Sequence, residues 1–333
     1  MKVTVGTIAE KVGVSKATVS YALTGKNRVS EDLRRRILEV AKDLGYRPSA
    51  LARSLAASRT RTVGLYAPDS AHLVEDIYFN SVLSGILDVL HEKDYNLQLF
   101  PFYADSTIDE MLHLDTRQAL DGLLIMDPRL STNYLDEVRS MNLPFVLIGL
   151  PREIDEDVFY VDFDLAASAY IAVAHLLDRG RRRIGFINSP ESMIQSVHRM
   201  GGFARAFADR DLAASELVGH AGPSLEEGYG TCRELFEREP SMDGLVVYND
   251  LPAVGAAQAL KEARRRIPAD VALVSGGNTI VARIHSPKLT SVDPNPYLQG
   301  SRSAELLIDV VERNRMRTSH EILPVQLVER EST

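Results

Sequence analysis

The sequence predicts an α/β chain with a small three-helix domain at its N-terminus and a larger body on two parallel sheets. Three observations predict it. A glycine interrupts helical periodicity in KVGVSKATVSYALTG, residues 11–25. From Val63 onward, short apolar runs alternate with amphipathic stretches. Charge is divided along the chain, with 12 Lys or Arg against 5 Asp or Glu in residues 1–60, and 26 against 41 in residues 61–333.

The 333 residues suffice for two or three domains and a large core. No apolar run approaches the roughly 18 residues of a membrane helix, and no apolar N-terminal segment marks secretion. A cytoplasmic protein with no membrane partner is the expectation. Cys232 is the single cysteine, which excludes an internal disulfide and a thiolate cluster. The eight histidines show no ligand spacing. No metal and no cofactor are expected.

The first helix lies in TVGTIAE, Gly13 ends it, and Ser15 is placed to cap the second. At 100° per residue, Ser15, Val19, Ala22 and Leu23 fall on one side, able to pack on Ile8, Ala9 and Val12. Lys16, Ala17, Ser20, Tyr21 and Thr24 fall on the other. That outward set mixes one cation, several hydroxyls and one small residue. It suits base edges in a DNA major groove and the flanking phosphates. The third helix, SEDLRRRILEVAKDLGY, has Ser30 as its cap, acids in its first turn, and Leu33, Ile37, Val40 and Leu44 as its stripe, with Pro48 as its stop. Together these form a helix-turn-helix, and the basic head implies double-stranded DNA as partner.

In YRPSALARSLAASRTRT, Ser49 can cap a short helix running through Ala57, with Leu51 and Leu55 on one face. So short a helix is unstable alone in water. By periodicity it is either a wedge for the minor groove or a plain linker.

The order TIAEKVGVSKATVSYALTG, then VSEDLRRRILEVAKDLGYRPSALARSL, resembles the lactose-repressor (LacI/GalR) family of bacterial transcription regulators, and the resemblance continues through residue 333. It implies a helix-turn-helix DNA-binding domain at 1–47, a hinge helix and linker at 48–60, and an effector-binding and dimerisation domain at 61–333. Lys16, Ala17 and Tyr21 become base readers, Ser15 and Thr18 lie near phosphate, and Leu55 is the wedge. Thr4, Ser20, Asn27, Arg28, Ser49, Ala52 and Arg53 complete the DNA-binding set. Many members carry Arg where Tyr21 stands, so their operator bases do not transfer.

The alternation after Val63 (TVGLYAP, NLQLFPF, DGLLIM, PFVLIGL, then RRIGFIN, GLVVYND and VALVSGG) argues for parallel sheets covered by helices, with ligands at the carboxyl ends of strands. The resemblance adds a two-lobed, periplasmic-binding-protein-like body with chain crossings near residues 161, 292 and 320. Lobe one then spans about 61–161 and 292–320, and lobe two 162–291 and 321–333. By the same resemblance, Tyr78, Phe79, Arg199, Asn249 and Asp250 meet a small-molecule effector, possibly a carbohydrate, with Asp69 and Asp162 as weaker candidates at strand ends. Tyr78 and Phe79 could equally be core, and Asp250 could simply cap a helix beginning at Leu251. Many sugar-binding members carry Asp where Gly149 and Gly277 stand, and Pro294 and Pro296 also replace ligand-contacting types. Effector identity therefore does not transfer.

There is no G-x-S-x-G motif, and GVSKAT is too short for a phosphate loop. An operator-binding repressor acting as a homodimer is the expected function. A sugar-active enzyme or solute receptor with an appended DNA-binding head is the other class. The ending LPVQLVEREST carries no added heptads, which favours a dimer over a tetramer.

Overall fold

A computed structural model describes residues 3–24, 29–46, 59–67, 77–101, 119–126, 134–151, 158–312 and 320–333. The chain divides into a small helical unit and a larger body. Each is described by itself.

The head contains α1 (Val5–Val12), α2 (Lys16–Thr24) and α3 (Glu31–Asp43). Thr4 caps α1 in a reciprocal capping box with Thr7. Gly13 ends α1 in the left-handed region at φ 78, which a side chain would resist. Ile8, Ala9, Val12, Val19, Ala22, Ile37 and Ala41 form the buried core, flanked by half-buried Leu23, Leu33, Val40 and Leu44. Two details differ from expectation. Ser30 occupies the N-cap of α3 but makes no side-chain capping bond. That helix also stops before Pro48, with Gly45 at φ 64 and Tyr46 N–H bonded back to the Ala41 carbonyl at 2.8 Å.

The body begins with β1 (Thr62–Ala67), α4 (Ile77–Glu92), β2 (Asn96–Pro101), β3 (Gly122–Ile125), α5 (Tyr134–Ser140), β4 (Phe145–Ile148) and β5 (Tyr160–Phe163). It continues with α6 (Leu165–Asp178), β6 (Ile184–Asn188), α7 (Ile194–Ala208), β7 (Val218–His220), α8 (Leu225–Arg238), β8 (Gly244–Val247), α9 (Asp250–Glu262), β9 (Ala272–Gly276), α10 (Ile280–Ile284) and β10 (Thr290–Asp293). Last come α11 (Pro296–Glu312), β11 (His320–Leu323) and β12 (Gln326–Val328). One sheet runs β11-β5-β4-β3-β1-β2 and the other β12-β10-β9-β8-β6-β7. Central strands such as GLLI and GLVV are buried along their whole length, as strands covered on both faces must be. Strand β12 pairs antiparallel with β10.

The crossings between lobes fall near the positions that the resemblance implies. Strands β5, β10 and β11 each complete their sheet before the chain crosses, so the passages follow Phe163, Asp293 and Leu323. Among the described residues, no helix is long and apolar enough to cross a membrane.

Helix α7 reaches α6 through Gly202, where an added Cβ would stand 1.8 Å from the Ala166 carbonyl oxygen; at the neighbouring Gly201 it would meet nothing within 4 Å. Thermal unfolding should therefore separate two adjacent substitutions. Gly201→Ala should stabilise by up to about 1 kcal/mol through helix propensity, whereas Gly202→Ala should destabilise by about 1–3 kcal/mol or more through overpacking. Equal effects would contradict the close α6–α7 contact.

Candidate functional site

In the head, Ser15 precedes α2 and accepts from Thr18 N–H at 3.1 Å, with its hydroxyl 2.8 Å from that of Thr18. Ser15 is exposed rather than packed, because capping draws its side chain along the helix start. Val19 and Ala22 are buried, so Lys16 and Ala17 are exposed, and Thr18, Ser20 and Tyr21 lie half-exposed. The Lys16 stem runs over α1, its Cε 3.2 Å from where a Cβ on Gly6 would stand. Thr4 serves as the α1 cap. Asn27, Arg28, Ser49, Ala52, Arg53, Leu55 and Asp69 lie outside the described residues.

In the body, one constellation joins side chains from both lobes. Arg199, on α7 of lobe two, donates from Nη1 to the Ser189 hydroxyl at 3.1 Å, and its guanidinium lies 5.4 Å from the Tyr248 ring centroid. Desolvation lowers its pKa, against the opposing pull of Tyr248, Asp162 and Tyr78. Asp162, at the end of β5 in lobe one, is buried. Its Oδ1 accepts from Phe163 N–H at 2.8 Å and Gln299 Nε2 at 3.1 Å, and its Oδ2 from Leu150 N–H at 2.9 Å. Burial still pushes this carboxyl up to about 6, opposed by those three bonds and by the Arg199 charge. Tyr78 donates its hydroxyl hydrogen to Gln299 Oε1 at 2.5 Å.

The expected aromatic pair is split. Phe79 packs in the lobe-one core beside Val82 and Ile86, so a stacking role for it is corrected; Tyr78, one step round α4, is half-buried. Asn249 caps α9 by accepting from Leu251 N–H at 3.2 Å. Asp250 is inside that helix rather than its cap, and it is saturated. It accepts from Ser275 Oγ at 2.5 Å, Ser291 Oγ at 2.9 Å, Thr279 N–H at 2.7 Å and Thr279 Oγ1 at 2.8 Å. The carboxylate ties α9, β9, β10 and the start of α10 together, which corrects its expected role as a ligand contact. Burial raises its pKa against these bonds.

Sequence reasoning missed Ser189, Tyr248 and Gln299, none of which left a signal in spacing. The strand-end glycines are alike: Gly149 and Gly277 both adopt φ 115, and their N–H groups bond to Val161 and Val292 of the next strand at 2.9 and 2.8 Å. Neither supplies a carboxylate. Cys232 is buried, its thiol pushed up to about 12 by desolvation.

Two family descriptions match the chain: "Bacterial regulatory proteins, lacI family" over residues 4–49, and "Periplasmic binding protein-like domain" over residues 173–333. The HTH-type transcriptional regulator CelR of Thermobifida fusca is 28% identical over 328 residues, covering 98% of this chain and 96% of that protein. The ribose operon repressor of Halalkalibacterium halodurans is 29% identical over 334 residues, covering 99% and 97%. A solved transcriptional regulator CelR–cellobiose complex superposes with TM-score 0.74 at 27% identity, over 99% of this chain and 100% of that one. A lac repressor dimer bound to operator and the anti-inducer ONPF superposes with TM-score 0.84 at 21% identity, over 100% and 99%, a likeness of fold.

Asp162 carries a pH signature of its own. Its folded pKa of about 6 stands above the ordinary 3.8, so the fold favours the protonated carboxyl. That contribution is full below pH 3.8 and is lost as pH rises through about 6. The free energy involved is roughly 3 kcal/mol. Urea unfolding between pH 4 and 7 should show wild type losing up to that much relative to Asp162→Asn. A difference that ignores pH would contradict a buried carboxyl.

Proposed function

The chain belongs to the lacI family of bacterial regulatory proteins, and we propose that it represses transcription as a homodimer on a pseudo-palindromic operator and is released by a small molecule between its lobes. It is a sequence-specific DNA-binding regulator, as its near-full-length relatives are. One helix-turn-helix reads a half-site, so two heads are needed to span a palindrome. The observation that carries effector control is Arg199, desolvated on one lobe and acted on by Asp162 and Tyr78 of the other. A ligand gripped there touches both lobes, and its differential affinity for two arrangements can shift the balance between them. Relatives whose descriptions name cellobiose and the ribose operon support an effector of the carbohydrate class.

On the DNA side, Lys16, Ala17 and Tyr21 are the base readers of this proposal, Ser15, Thr18 and Ser20 lie beside them, and Leu55 enters the minor groove. The +7 balance of residues 1–60 lets a dimer neutralise about 6–10 phosphates, which implies a loss of about 10³–10⁵ in affinity between 50 and 200 mM salt. In operator fluorescence anisotropy, removing residues 1–60 should abolish binding. Leu55→Ala should weaken operator binding by about 1–3 kcal/mol while sparing nonspecific DNA. A flat salt response, or equal loss on both DNAs, would contradict this reading.

A further inference from the structure

Asp121, half-buried, stands just before β3, yet its carboxylate is turned to the chain that enters β1. Its Oδ1 accepts from the Thr60 N–H at 2.7 Å and the Thr60 hydroxyl at 2.9 Å, and its Oδ2 from the Arg61 N–H at 2.8 Å. Pairing between β1 and β3 begins at Val63 and Gly122, so both clasped residues precede the ladder. The clasp adds no rung to the sheet. It holds the two residues that join the linker to β1.

Arg61 shows what that grip does. Its φ is 51, in the left-handed region that a residue with a side chain seldom adopts and that persists where surroundings impose it. It is bracketed on both sides. Thr60 is held before it, and the Thr62 carbonyl after it accepts from the Asp121 N–H at 2.8 Å. Three of these bonds end on a carboxylate, which makes them strong. The chain therefore turns through a fixed angle at Arg61.

Asp121 is itself placed by lobe one. At the next residue, Gly122, an added Cβ would stand 2.9 Å from both Leu307 Cδ1 and Val311 Cγ2 of α11. Helix α11 starts at Pro296, just after β10 ends at Asp293 and the chain crosses between lobes. One helix thus runs from the second crossing to the residue beside the clasp. A rigid element of that kind carries a displacement along its length.

Resting on the reading of the chain as an operator-binding repressor, we propose that Asp121 is a positioning residue for DNA binding. Its carboxylate sets the direction in which the chain runs from β1 into the linker, so residues 48–60 meet the operator from a fixed base. Without the clasp the linker swivels at Arg61, and every specific complex must give up that freedom. Nonspecific DNA, held by phosphate contacts of the head, demands no such alignment.

The test compares the full chain with Asp121→Asn and with Thr60→Ala, which loses only the hydroxyl bond. Trypsin cuts after Arg59 and Arg61, at the clasp, and after Arg53, before it. The ratio of the two reports the grip with no DNA present. Fluorescence anisotropy then measures affinity for a palindrome that the wild-type chain selects from random DNA, and for a duplex of unrelated sequence. Asp121→Asn should raise the cleavage ratio and weaken palindrome binding by about tenfold each, through the lost charge-assisted bonds, with nonspecific affinity within about twofold. Thr60→Ala should move both in the same direction by about threefold, and it decides the matter if Asp121→Asn lowers the melting temperature. Faster cleavage with unchanged palindrome affinity makes Asp121 a structural clasp only and overturns the proposal. An unchanged ratio, or equal loss on both DNAs, overturns it as well. A wild-type chain that selects no palindrome contradicts the repressor reading itself, and this inference falls with it.

Discussion

A guanidinium partly withdrawn from water favours oxygen around it, and in this chain the oxygen is divided between two lobes. Ser189 meets Arg199 from its own lobe, while Asp162 and Tyr78 act on it from the other. Separating the lobes would rehydrate Arg199 and weaken its attraction to Asp162; bringing them together restores both effects. Even partial desolvation of a charge is unfavourable unless partners are supplied. The lobes therefore cannot move without changing the energy of that one side chain, and a ligand that completes its shell has leverage on the whole body.

The surrounding construction holds this cation in place. In each lobe a strand-end glycine bonds to the following strand, Gly149 to Val161 and Gly277 to Val292. Each of those strands then carries an aspartate at the next position. In lobe one Asp162 is buried and gathers Leu150, Phe163 and Gln299. In lobe two Asp293 binds Asn278 and Asn295, and the deep carboxylate is instead Asp250 from α9. The repeated strand order thus serves two ends: lobe one keeps its acid within reach of Arg199, and lobe two uses its acid to lock α9 and α10 to the sheet.

Much of this was legible in the sequence because it is local. The stop at Gly13, the cap at Ser15, and fully apolar runs such as GLLI and FVLI depend on neighbours a few residues away. Arg199 was legible through its family motif. What escaped depends on distant contacts. Gln299 reaches Asp162 across 137 positions, and Ser275 and Ser291 reach Asp250 across 25 and 41; no spacing rule announces such pairs. Phe79 and Tyr78 differ only in helical phase, which the packing of Phe79 beside Val82 and Ile86 resolves. The lobe crossings came from the resemblance alone, and the strand ends at Phe163, Asp293 and Leu323 lie close to the positions it implied.

The coupling between the cleft and operator binding is the most direct measurement of whether Arg199 links the lobes to the DNA-binding head. Operator affinity would be measured with and without a saturating cleft ligand, in wild type and in Arg199→Gln, at one salt concentration. In wild type the ligand should change operator affinity by about 5- to 150-fold, the usual range for coupling of 1–3 kcal/mol, and in Arg199→Gln that factor should fall to about one even when the ligand is raised to saturation. An undiminished factor in the variant would contradict the role given to Arg199.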